Sequence, residues 1–81
     1  MKAHVIVTLK PGILDPQGEA VRQALATLDG VEVERVRVGK YIEVELGEAD
    51  PSGAMTALRA MCDKLLANPV MEDYRIELVE G

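Results

Sequence analysis

Side chains alternate in character from residue 3 to residue 10. Ala3, Val5, Val7 and Leu9 form one wholly apolar set, and His4, Ile6, Thr8 and Lys10 form the other. A period of two with one apolar face predicts a strand buried on one side. Pro11-Gly12 ends it. The period then changes. Asp15-Pro16 reads as a helix N-cap followed by proline at the first helical position. Val21, Ala24, Leu25 and Leu28 follow at helical spacing, and Gly30 is placed to close the helix. A helix is therefore predicted over about residues 16–28.

Alternation returns over residues 31–38, predicting a second strand. Its apolar parity shifts between Val33 and Val36, so a bulge or a late start is expected there. Tyr41 to Leu46 predicts a third strand, with Ile42, Val44 and Leu46 on one face and Glu43 and Glu45 on the other. Asp50-Pro51 repeats the helix start, and Ala54, Leu58, Met61, Cys62 and Leu65 make a second apolar stripe. Ala67-Asn68-Pro69 stops that helix. Tyr74, Ile76 and Leu78 predict a fourth strand. The two helix starts, LDPQGEA and ADPSGAM, echo each other, which agrees with two interleaved βαβ units. The predicted fold is α+β and ferredoxin-like, of order βαββαβ. It has a four-stranded antiparallel sheet with both helices on one face, in one domain over residues 1–81.

The stretch VRVGKYIEVEL (residues 36–46) carries a Gly-Lys pair. A phosphate-binding loop needs G-x-x-x-x-G-K-[ST] between a strand and a helix. Here a strand follows, Tyr41 takes the Ser/Thr place, and no glycine lies upstream at the required spacing. A two-residue turn at Gly39-Lys40 would set Val36 against Glu43. A three-residue loop over 39–41 sets Val36 against Val44, Arg37 against Glu43 and Arg35 against Glu45. That register is expected, with one long strand kinked at Gly39 as its competitor.

Composition narrows the function. With 48% hydrophobic and 28% charged residues the chain is globular. A chain of 81 residues builds only a thin core, so a second copy or a partner adds stability. A net charge of −5, with two tyrosines and no other large aromatic residue, argues against nucleic acid. One cysteine excludes an internal disulfide and a multi-cysteine zinc site. Neither a secretory leader nor a membrane span is read, so a cytoplasmic setting is expected.

Candidate chemistry is sparse. His4 is the single histidine, and no nucleophile or orienting acid is placed beside it by the sequence, so it reads as a polar residue on the less buried sheet face. Cys62 beside the second helical stripe reads as a small core hydrophobe. Glu43, Glu45, Glu48 and Asp50 read as a solvated or paired sheet face, a loop and a helix cap rather than a hard-metal site. Met55, Met61 and Met71 read as core or interface filler. The loop after the first strand lacks the Cys-x-x-Cys of a metallochaperone. It also lacks the arginine of an acylphosphatase-like hydrolase. No catalytic, cofactor or metal residue is assigned.

LKPGILDPQGEAV (9–21), VRVGKYIEVEL (36–46) and MCDKLLANPVMEDYRIEL (61–78), in that order, closely resemble the PurS family. That family is the small subunit of phosphoribosylformylglycinamidine (FGAM) synthase. The resemblance runs from Val5 to Leu78. It implies a noncatalytic subunit acting in de novo purine biosynthesis. Its implied partners are a glutaminase subunit and an ATP-dependent ligase subunit, with ammonia passing between them. ATP and magnesium are implied for the ligase partner, no cofactor for this chain, and a homo-oligomer of at least two copies. No catalytic residue transfers to any position.

An adaptor needs surfaces rather than nucleophiles. The sheet face expected to carry Ile6, Thr8, Arg35, Arg37, Glu43, Glu45 and Val79 is the candidate interface. The edge of the second predicted strand is expected to extend the sheet into a second copy. The alternative is an ACT-like regulatory module with the same βαββαβ order, for which Gly12 is the candidate loop glycine. Which surface meets which partner, the stoichiometry, and dimer against tetramer are left open by the sequence.

Overall fold

The alternation at the start of the chain becomes the centre of the sheet. The structure, a computed structural model, describes residues 1–28, 30–47 and 50–79. Strand β1 (Lys2–Leu9) pairs antiparallel with both β2 (Lys40–Glu45) and β3 (Glu72–Val79), giving the order β2-β1-β3. Its register sets Ala3 between Val44 and Leu78, and Val5 between Ile42 and Ile76. The apolar parities of the three strands therefore fall on one face. Ala3, Val5 and Val7 are fully buried there.

Helix α2 (Pro51–Met61) supplies the cover. Asp50 caps it by accepting from the Gly53 N–H at 3.3 Å, and Pro51 occupies the first turn, where its missing N–H costs nothing. Ala54, Leu58 and Cys62 point from this stripe into the core. Burying a side chain such as Leu58 or Val5 contributes about 1.5–3 kcal/mol. The helix then widens into a π-turn (Cys62–Leu66), where the Ala67 N–H reaches the Cys62 carbonyl at 3.0 Å. That turn keeps Cys62 and Leu66 toward the core and sends Leu65 outward, 83% exposed. The Asn68 side chain stops the helix by accepting from the Val70 and Met71 N–H groups at 2.9 and 3.3 Å.

Helix α1 (Pro16–Leu25) is three residues shorter than the spacing predicts, and a turn carries the chain on to Leu28. It buries only Gly18. Val21 and Leu28 of its apolar stripe are exposed.

The described residues form an α+β fold of two helices and a three-stranded antiparallel sheet; the second predicted strand is the part that differs. Residues 32–39 form no strand. The Val38 N–H goes to the Asp15 carboxylate, and the Arg37 side chain donates to the carbonyls of Leu9 and Lys10. The hairpin over 39–41 is therefore absent, because Lys40 already pairs with Val7. Neither Arg37–Glu43 nor Arg35–Glu45 is an ion pair among the described residues. The chain is elongated, with extents of 48 × 29 × 14 Å and a radius of gyration of 16.1 Å. A compact domain of this length has about 12 Å.

Candidate functional site

Three surfaces stand out. The first is a clamp at the root of α1. Asp15 Oδ1 accepts from the Gly18 N–H at 2.7 Å, and Oδ2 accepts from the Val38 N–H at 2.9 Å. The Arg37 Nε lies 3.6 Å from Oδ2, while its guanidinium donates to the Leu9 and Lys10 carbonyls at 3.0 and 3.2 Å. The Val38 N–H first, then the Gly18 N–H, hold the Asp15 carboxyl below its ordinary range, and the Arg37 charge adds to this. Gly18 itself is pressed on the Val36 carbonyl, where a Cβ would overlap the oxygen. The clamp joins α1, residues 36–38 and the end of β1 into one arm.

The second surface is the sheet face turned away from α2. Lys2, His4, Ile6 and Thr8 alternate onto it from β1, Tyr41, Glu43 and Glu45 from β2, and Asp73, Arg75, Glu77 and Val79 from β3. His4 lies in register between Glu43 and Glu77, and its ring sits 5.1 Å from that of Tyr41. Partial burial first, and then Glu43 and Glu77, push the Tyr41 hydroxyl up. Of the seven face residues expected from sequence, Ile6, Thr8, Glu43, Glu45 and Val79 share this face. Arg35 and Arg37 do not. Arg37 belongs to the clamp, and Arg35 is exposed beside Ile13, Leu14 and Asp15.

The third is an apolar groove of about 470 Å³ lined by Val44, Ala60, Met61, Lys64, Leu65 and Leu66. It runs between β2 and the π-turn. Met61 and Leu65, four residues apart, form its outer wall. Sequence reasoning assigned both to the core stripe. The period gave the right helical face but not the widening that turns Leu65 out.

Of the residues weighed for chemistry, His4 stands in register beside Glu43 and packs on Tyr41. Cys62 is fully buried, and burial first, with Asp63 adding, pushes its thiol up and away from the reactive thiolate. The Tyr74 hydroxyl donates to Asp63 at 3.0 Å, which raises its own proton affinity. Asp50 is a helix cap, and Glu48 lies outside the described residues. Met55 is half-buried; Met61 and Met71 are exposed. Among the described residues no three of His, Cys, Asp or Glu converge as a metal site would require. At Gly39 a Cβ would overlap the Val7 carbonyl oxygen, so this glycine permits the approach of the chain to β1.

The profile of the PurS family, described as phosphoribosylformylglycinamidine (FGAM) synthase, matches residues 2–80. The PurS subunit of that synthase from Bacillus subtilis is 47% identical over 98% of this chain and 93% of its own length. The one from Methanocaldococcus jannaschii is 38% identical over 95% and 93%. Among solved structures, Bacillus subtilis PurS is similar with a TM-score of 0.85 at 47% identity, over 98% of both chains. A chain in the structure of PurLQS from Thermotoga maritima is similar with a TM-score of 0.85 at 30% identity, over 94% of this chain and 93% of that one.

Proposed function

This chain belongs to the PurS family, and from that membership we propose how it works within phosphoribosylformylglycinamidine synthase. It serves as the small noncatalytic subunit in de novo purine biosynthesis. It bridges a glutaminase subunit and an ATP-dependent ligase subunit and supports the passage of ammonia between them. The observation that carries the reading is likeness over nearly the full chain to a chain of the Thermotoga maritima PurLQS structure. ATP and magnesium belong to the ligase partner.

The physical role is containment. Ammonia released into water is protonated and diluted. Two enzymes held together by a third chain shield it and raise its effective concentration. Rigid surfaces suffice for that, and the clamp, the open sheet face and the groove are surfaces of this kind. The sheet face with Ile6, Thr8, Glu43 and Glu45 is a partner contact in this reading.

At least two copies associate, and residues 1–81 act as one ferredoxin-like unit in the cytoplasm. The long shape and the uncovered apolar residues of α1 support the homo-oligomer. The fourth strand of the ferredoxin-like sheet comes from residues 31–38, set at the outer edge of β2 once copies associate. No helix among the described residues is long and apolar enough to cross a membrane.

Reconstitution tests the reading. The ligase and glutaminase subunits are expected to make product from glutamine only when this chain is added, while ammonia supplied directly supports synthesis without it. Equal glutamine-dependent rates with and without the chain would end the adaptor reading.

A further inference from the structure

One side of the sheet is covered and the other is open. Helix α2 seals the apolar side through Ala54, Leu58 and Cys62. On the opposite side Tyr41, Glu43, Arg75 and Glu77 are exposed, Tyr41 at 58%. The charges of that side do not balance. Lys2 faces Glu45 in register, and Asp73 takes the Lys10 ammonium at 2.9 Å. Glu43 and Glu77 flank His4 from the two outer strands. Neither is in an ion pair among the described residues. Arg75, across from Ile6, is one cation against these two carboxylates. Strand spacing sets the two acidic positions about 10 Å apart. The His4 and Tyr41 rings, 5.1 Å from each other, form the floor beside them. Both carboxylates act on the Tyr41 hydroxyl: after burial, Glu43 and then Glu77 push it up.

We infer that, within the adaptor reading on which this rests, the open side docks an arginine-bearing surface of an enzyme subunit, its guanidinium laid on Tyr41 between Glu43 and Glu77. Two unpaired carboxylates beside an exposed ring are the complement of a planar cation. The ring face attracts it, and its fork of donors offers hydrogen bonds to carboxylates on either edge. In the free chain the two acids repel one another across His4, and a cation between them turns that repulsion into attraction. Ile6 and Val79 on the same side add apolar contact around the charged centre. Other occupants fit less well. A phosphate backbone is repelled by the same acids. A metal ion lacks ligands, because among the described residues no three of His, Cys, Asp or Glu converge. A second copy laid face to face brings the same excess of acid, on a chain whose net charge is −5.

The test is binding of the ligase and glutaminase subunits, singly and together, at low and at high salt. The chain carrying both Glu43→Gln and Glu77→Gln keeps the side-chain shapes and loses the charges. It is expected to bind about ten- to a hundred-fold more weakly at low salt, with a smaller salt dependence than the unsubstituted chain. Tyr41→Ala is expected to weaken binding several-fold, and Tyr41→Phe to keep most of it. Arg75→Gln removes a cation from the same side and is expected to tighten binding, a sign that mere disturbance of the surface does not give. These positions are exposed, so far-ultraviolet circular dichroism and the mass by light scattering are expected to stay unchanged. Equal affinity of the double variant, or weakening by Arg75→Gln to the same degree, would overturn the arginine contact and leave the adaptor standing. A changed mass would show the side to be a contact between copies and overturn it equally. If neither subunit binds the unsubstituted chain, alone or together, the adaptor reading falls and the arginine contact with it.

Discussion

Asp15 serves two segments with two oxygens. One caps α1 through the Gly18 N–H, and the other ties down the Val38 N–H beside the Arg37 guanidinium. All three partners favour the ionised carboxylate, so its folded value falls below the ordinary 3.8. The stabilisation is then fully present above about pH 4 and is lost as the pH falls through the folded value. Asp15→Asn is expected to lower Tm near neutral pH by roughly 4–8 °C and to flatten the acid side of the stability profile. Thermal melts from pH 2 to pH 7 check this; a variant that keeps the wild-type acid slope would clear Asp15 of the role. Gly39 is limited by space. Gly39→Val pushes a branched side chain into the Val7 carbonyl and is expected to cost about 1–3 kcal/mol in denaturant unfolding. Cys62 is buried with its thiol pushed up, so Ellman's reagent is expected to label it slowly in the folded chain and at once in denaturant.

At the scale of elements, the load falls unevenly. β1 is central and paired on both edges, while among the described residues β2 and β3 each pair on one side only. α2 seals the apolar face through Ala54, Leu58 and Cys62. Leu58→Ala leaves a cavity between helix and sheet and is expected to cost about 2–5 kcal/mol, measured by urea titration. That is a large part of the stability of a domain this small. The equivalent change on α1, Val21→Ala, is expected to leave the monomer's stability almost unaltered, because the side chain is exposed. A comparable loss from both would show that α1 already packs within one chain. The π-turn explains the contrast between Leu65 and Leu66. One additional residue in the turn sends the first outward and keeps the second against the core.

For the whole molecule, elongation is the informative quantity. A radius of gyration of 16.1 Å leaves apolar surface on an arm and in a groove that one chain does not join. In the proposed homo-oligomer association adds to the fold's stability, and Tm is expected to rise with protein concentration in the micromolar range. A melting temperature constant across a hundred-fold dilution would contradict that.

Periodicity alone predicted strands over 3–10, 41–46 and about 74–79, where the structure has Lys2–Leu9, Lys40–Glu45 and Glu72–Val79, and it gave both helix starts, because period and capping are local properties. The ordered segments at 9–21, 36–46 and 61–78 determined the family. Tertiary structure decided what those patterns met. Val31 to Val38 alternates like a strand, but a strand also needs an edge, and among the described residues of one chain none pairs with it. Arg37 was legible as a cation and Asp15 as a cap. Their meeting across 22 positions was not, since nothing local encodes it. The stripe of α1 was legible as apolar, whereas its exposure follows from a clamp that aims the helix away from its own sheet.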